Sequence, residues 1–141
     1  EYQHKVFKQH ATKGKSSTGW FFGFKLHLVI NLYGEIVKFC FTPAHVADNN
    51  FDLMTHFLKD LQGKIYADKG YLSSKAWHEL RNNGVQIITK LRRNMKNKLM
   101  DLQDKLFLLK RGLIESVFNI LTTVCDLEHS RHRNPINAFK R

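Results

Sequence analysis

Residues 63–89 read GKIYADKGYLSSKAWHELRNNGVQIIT. Lys64-Ile-Tyr-Ala67 has the composition of a short buried strand, and it stops at Asp68-Lys69-Gly70-Tyr71. Ser73 or Ser74 is placed to cap a helix through Trp77 and Leu80, which Asn82-Asn83-Gly84 closes. Val85-Gln-Ile-Ile-Thr89 is a second buried-type strand. A strand, a helix and a strand in this order predict a βαβ crossover and a parallel pair.

Upstream, residues 19–30 read GWFFGFKLHLVI, with Phe24, Leu26, Leu28 and Ile30 alternating against Lys25, His27 and Val29. Period-2 alternation predicts a strand. Asn31-Leu-Tyr-Gly34 is a turn, and residues 35–41 (EIVKFCF) return as the second arm of a hairpin. The polar segment 8–18 (KQHATKGKSST) reads as a loop. After Thr42-Pro43, a helix is predicted from Asp48, with Leu53, Phe57, Leu58 and Leu61 on one face and Gly63 at its end. Downstream, residues 90–98 (KLRRNMKNK) form a basic connection. One long helix is then predicted from Leu99, because Leu102, Leu106, Leu109, Leu113, Val117 and Ile120 recur about every 3.5 residues. The whole is a mixed α/β domain with antiparallel strands first and a parallel crossover after.

Charge narrows the function. The 141 residues carry 23 Lys and Arg against 12 Asp and Glu, a net charge of +11. The excess lies at the two ends, since residues 29–89 hold six basic and six acidic side chains. That balance points to a polyanion, nucleic acid first. Two cysteines exclude a disulfide framework, and no CxxC supports a zinc cluster. Cys40 alternates with apolar strand residues and reads as a core thiol. The longest apolar run, Trp20 to Ile30, is interrupted by Gly23, Lys25 and His27, so neither a spanning helix nor a signal peptide is expected. The absence of an initiator Met and the abrupt ends suggest a single domain, residues 1–141, cut from a longer protein.

Two acids are candidates for chemistry. Asp68 follows a predicted strand, where ligands collect in open α/β sheets, and a carboxylate there suits a hard cation such as magnesium. It reads equally well as a turn-capping Asp before Gly70. Glu115 lies among Leu113, Ile114, Val117 and Phe118, with Arg111 one turn earlier. An ordinary Arg–Glu pair on a helix surface is the simpler account of it. Lys90, Arg92, Arg93, Lys96 and Lys98 form a run without an acid until Asp101, suited to phosphate contacts or to a solvated loop. Arg131 and Arg133, with His129 and His132 in EHSRHR, lack companion ligands for a metal and belong with the phosphate-facing group.

Taken in order, HKVF (4–7), GKSSTGWFFGFKLHLVIN (14–31), FTPAHVADNN (41–50), ADKGY (67–71), ITKLRRNMKNK (88–98), KRGLIESVFNIL (110–121) and EHSRHR (128–133) resemble bacterial insertion-sequence transposases of the DDE type. The resemblance implies a ribonuclease-H-like fold, a mixed five-stranded sheet flanked by helices, with an acidic triad holding two Mg2+ or Mn2+ ions. It implies cleavage and strand transfer on double-stranded DNA, a homo-oligomer in the active complex, and a cytoplasmic, nucleoid-associated setting. By position, Asp68 matches the second acid and Glu115 the third, both as catalytic and metal-binding residues. The family's signature around that Glu is Tyr, two residues, Arg, three residues, Glu, six residues, Lys. Arg111 and Glu115 fit it, whereas Leu108 and Thr122 stand at the Tyr and Lys positions. Residues 2–34 contain no Asp or Glu, so the first acid and its strand are not found. A catalytically inactive remnant that still binds DNA is therefore the alternative, with an unrelated metal nuclease of the same fold behind it. DNA contacts are expected from Lys90, Arg92, Arg93, Lys96, Lys98, Arg111, Arg131 and Arg133.

Overall fold

The structure, a computed structural model, describes residues 7–16, 19–90, 100–129 and 136–137. The chain divides into two compact units, residues 1–46 with 114–141, and residues 47–113.

The first unit is built on an antiparallel sheet of β1 (Thr12–Ser16), β2 (Gly19–Ile30) and β3 (Ile36–Pro43), in that spatial order. The hairpin turn is set by Asn31, whose Oδ1 accepts the N–H groups of Tyr33 and Glu35 at 2.9 and 3.0 Å. Gly34 supplies the positive φ of 86° that closes it. Pairing of Leu26 with Phe41 and of Leu28 with Phe39 places the even residues of β2 on the same face as Phe39 and Phe41. The opposite face carries His27, which is buried and shares a 2.9 Å hydrogen bond with the Thr42 hydroxyl. Close approach fixes β1. A Cβ on Gly14 would lie 2.6 Å from the Ala44 carbonyl oxygen, so only glycine lets the two backbones meet. In the same unit lies most of α4 (Gly112–Asn119), which widens into a π-type turn at Ile120–Val124.

The second unit holds the crossover. Helix α1 (Phe51–Leu58) is capped by Asn50, whose side chain accepts from Leu53 N–H at 3.0 Å, and it buries Met54, Phe57 and Leu58. Strand β4 (Gly63–Ala67) runs parallel to β5 (Val85–Thr89), with Ile65 opposite Ile87 and Ala67 opposite Thr89. Between them α2 (Ser74–Asn82) starts at the Ser73 cap, buries Ala76 and Leu80 one turn apart, and ends where Gly84 takes φ 84°. Helix α3 (Leu102–Leu109) packs on β4 and β5. The mixed α/β class, with antiparallel and parallel ladders and helices, is as expected for a ribonuclease-H-like domain.

Four expectations change. Part of segment 8–18 is a strand rather than a loop, because β2 offers Thr12–Ser16 a full ladder partner. Helix α1 begins three residues after Asp48, and Gly63 opens β4 instead of ending a helix. The long helix is two helices, broken at Lys110 and Arg111 ahead of Gly112, whose missing side chain weakens helix there. Its leucine stripe is mostly open to solvent, since α3 buries Asp104 and Leu108 instead. Finally, the five described strands form a three-stranded and a two-stranded ladder rather than one hydrogen-bonded sheet of five. Among the described residues, no helix is long and apolar enough to cross a membrane.

Candidate active site

Alternation along β4 sends Lys64 and Tyr66 to one face, Ile65 and Ala67 to the other, and carries the first face onward to Asp68. Helix α3 covers that polar face. Asp104, buried on α3, accepts from Lys64 Nζ at 2.9 and 3.1 Å and from the Tyr66 hydroxyl at 2.8 Å. The Phe107 ring lies 5.2 Å from that of Tyr66. The buried carboxylate is therefore fully engaged, as burial of a charge requires. The Lys64 contact holds the Asp104 carboxyl below its ordinary value, against the opposing effect of burial, and Tyr66 adds to the lowering. Burial first, then the hydrogen bond and negative charge of Asp104, push the Tyr66 hydroxyl up to about 12.

The far end of the same strand and helix is joined by a second ion pair. Asp68 caps the short 3-10 turn Lys69–Tyr71, accepting Lys69 N–H at 2.7 Å. Its Oδ1 also takes Arg111 Nη1 at 2.5 Å, from the break that follows α3. Partial burial raises the Asp68 carboxyl, but the Lys69 N–H and the Arg111 charge outweigh it, and the net shift is downward. Asp68 is thus ionised at neutral pH, and its side chain is 61% exposed. The turn-capping reading holds, and it leaves the carboxylate facing solvent where a ligand could meet it.

A further acid lies against this turn and escaped the sequence reading. Asp48 Oδ2 stands 3.3 Å from where a Cβ on Gly70 would sit, so Gly70 leaves room for a second carboxylate. In the sequence Asp48 reads as a helix start, and only the fold brings residues 48 and 70 together. Asp104 was missed because it fell off the leucine stripe; the signal available was the run of polar residues at alternate positions of β4.

Glu115 lies in the first turn of α4 and is exposed, as a residue on a helix surface is. Lys90 is exposed directly after β5. Arg92, Arg93, Lys96, Lys98, Arg131 and Arg133 fall outside the described residues, as does His132. Cys40 is half-buried and Cys125 exposed, and both are free thiols.

Carboxylate oxygens at a strand end are hard donors suited to Mg2+, which takes one or two protein carboxylates and completes its shell from water and substrate phosphate. Asp68 fits one such position. Among the described residues no three His, Cys, Asp or Glu side chains are grouped to form an all-protein metal cage.

A mixed α/β fold with antiparallel and parallel ladders and helices is consistent with a ribonuclease-H-like transposase domain. The chain belongs to the transposase DDE domain family, whose family model matches residues 2–135 and so runs through both units. No curated protein and no solved structure matches the chain. Members of this family act on DNA during transposition, and DDE transposases generally use divalent metal ions.

Proposed function

We propose that this chain is a DDE catalytic core which cleaves phosphodiester bonds and joins strands during transposition, with Asp68 and Glu115 as its metal-holding acids. The observation that carries the reading is the placement of Asp68: ionised, exposed, and at the carboxyl end of β4 in a chain matched by the DDE family over nearly its whole length. Both units belong to one catalytic domain in this reading, supported by the continuous family match. A bound divalent ion would polarise the scissile phosphate and activate the attacking oxygen.

The protein's own residues do the rest. Asp68 and Glu115 supply negative charge for cation binding. Arg111 orients the Asp68 carboxylate at the turn through Oδ1, and a cation bound there would share or displace that contact. Lys90, with Arg92, Arg93, Lys96, Lys98, Arg131 and Arg133, neutralises phosphates and sets the DNA's path. The active complex is a homo-oligomer acting on transposon ends and target duplex.

The second reading, an inactive DNA-binding remnant, rests on the absence of any Asp or Glu in residues 2–34. One assay separates the two. In protein carrying a first-strand acid, Mg2+- or Mn2+-dependent strand cleavage should appear, and Asp68→Ala or Glu115→Ala should each abolish it. DNA affinity should stay within about twofold, because exposed acids contribute little to phosphate binding. Cleavage surviving either substitution would remove that residue from the site. No cleavage under any metal, with DNA binding retained, selects the remnant.

A further inference from the structure

We infer that the Trp20 end of the β1-β2-β3 sheet is a stacking platform for unpaired nucleobases. The register puts Lys15 opposite Trp20 and Lys13 opposite Phe22, so all four side chains share one face. Trp20 is 66% and Phe22 38% exposed. The ammonium groups of Lys13 and Lys15 lie 5.1 and 5.8 Å from the Trp20 ring centre.

Charge selects the occupant. Residues 7–46 carry Lys8, Lys13, Lys15, Lys25 and Lys38 against a single acid, Glu35. An apolar protein surface laid over Trp20 would strip water from two ammonium groups and give them no counter-charge. Single-stranded nucleic acid satisfies both features together: its bases have faces for the rings, and its phosphates accept the lysines. An exposed cation–π contact is weaker than base–aromatic stacking, so the lysines can swing from ring to phosphate as a base arrives. Trp20 and Phe22 stand about 7 Å apart along the strand, two pleats of one face, and can take neighbouring bases. Site and lysines lie wholly within the first unit.

The inference rests on DNA being the substrate and adds that part of it is unpaired when bound. It is tested on the whole chain with three probes: a short oligothymidine, an abasic oligonucleotide of equal phosphate count, and a blunt duplex. Oligothymidine should bind about tenfold tighter than the abasic strand, the low end of what stacking supplies. It should also quench tryptophan emission, and Trp20→Phe should abolish the quench while keeping most of the affinity. Trp20→Ala should remove the preference for bases and leave duplex binding unchanged.

Equal binding of thymidine and abasic strands overturns the platform while leaving the DNA reading intact. Equal loss of all three probes in Trp20→Ala also overturns it. Failure to bind any of the three defeats both. Self-association that Trp20→Ala removes, without any preference for bases, assigns the face to a second copy of the chain and likewise overturns the proposal.

Discussion

Among single residues, Asp104 and Tyr66 make the sharpest test of the structure. A carboxyl held below its unfolded value contributes stability that is complete above that value, 3.8, and is lost as pH falls through the lower folded one. Asp68 obeys the same sign, but at 61% exposure its ion pair with Arg111 is worth no more than about 1 kcal/mol. Tyr66 works in the other direction. Its stabilisation is present below pH 10 and is lost as pH climbs through about 12. A spectrophotometric titration of tyrosinate should therefore show one late-ionising tyrosine, missing in Tyr66→Phe. Asp104→Ala should draw that titration part of the way back toward 10, leaving the share due to burial, and lower the thermal midpoint. A Tyr66 that ionises with the other tyrosines would contradict both its burial and its bond to Asp104. Lys64 and Tyr66 were legible in the sequence only as members of a short buried-type strand. What they faced depended on α3 lying alongside β4, which no local pattern encodes.

At the scale of elements, legibility followed local chemistry. Helix α2 was readable from Ser73 at one end and Gly84 at the other, because caps act within a few residues. Strand β2 was readable from its alternation. Strand β1 was not, since Thr-Lys-Gly-Lys-Ser has no apolar period; its ladder comes from β2, and its lysines share the exposed aromatic face. Periodicity also misled. The leucines of α3 and α4 repeat at heptad spacing, yet Leu102, Leu106 and Leu109 are over half exposed, and the chain breaks between the helices. Two glycines should respond in opposite ways. Gly14→Ala drives a Cβ into the Ala44 backbone and should destabilise by about 1–3 kcal/mol. Gly112→Ala meets nothing within 4 Å and should stabilise by about 0.5–1 kcal/mol, through better helix propensity. Denaturant midpoints for the two variants check both signs, and equal effects would contradict the local geometry.

For the whole molecule, the +11 charge is expected to govern the proposed association with DNA more than any one contact. Duplex binding should fall steeply with salt, log affinity dropping by about 0.9 per log unit of salt for each phosphate neutralised. Replacing Arg92, Arg93 and Lys96 by Ala should flatten that slope and weaken all sequences alike. A slope near zero would remove the electrostatic account. The class of fold was legible because its strands and crossover helix sit in short, ordered motifs. The division into two units was not, since it depends on residues 114–141 grouping with residues 1–46 across the chain.

The placement of Lys13 and Lys15 on β1 has a bearing on solubility as well. Among the described residues, β1 lies at one edge of the three-stranded ladder, beside a face rich in exposed aromatic rings. An edge of that kind recruits strands from other chains unless charge repels them. The opposite edge, β3, ends at Pro43, which lacks the N–H that a docking strand would need. The two lysines therefore act as gatekeepers against intermolecular β-sheet growth. Changing both to threonine keeps strand propensity and removes the repulsion. The doubly substituted chain should scatter light and bind thioflavin at concentrations where the parent stays clear.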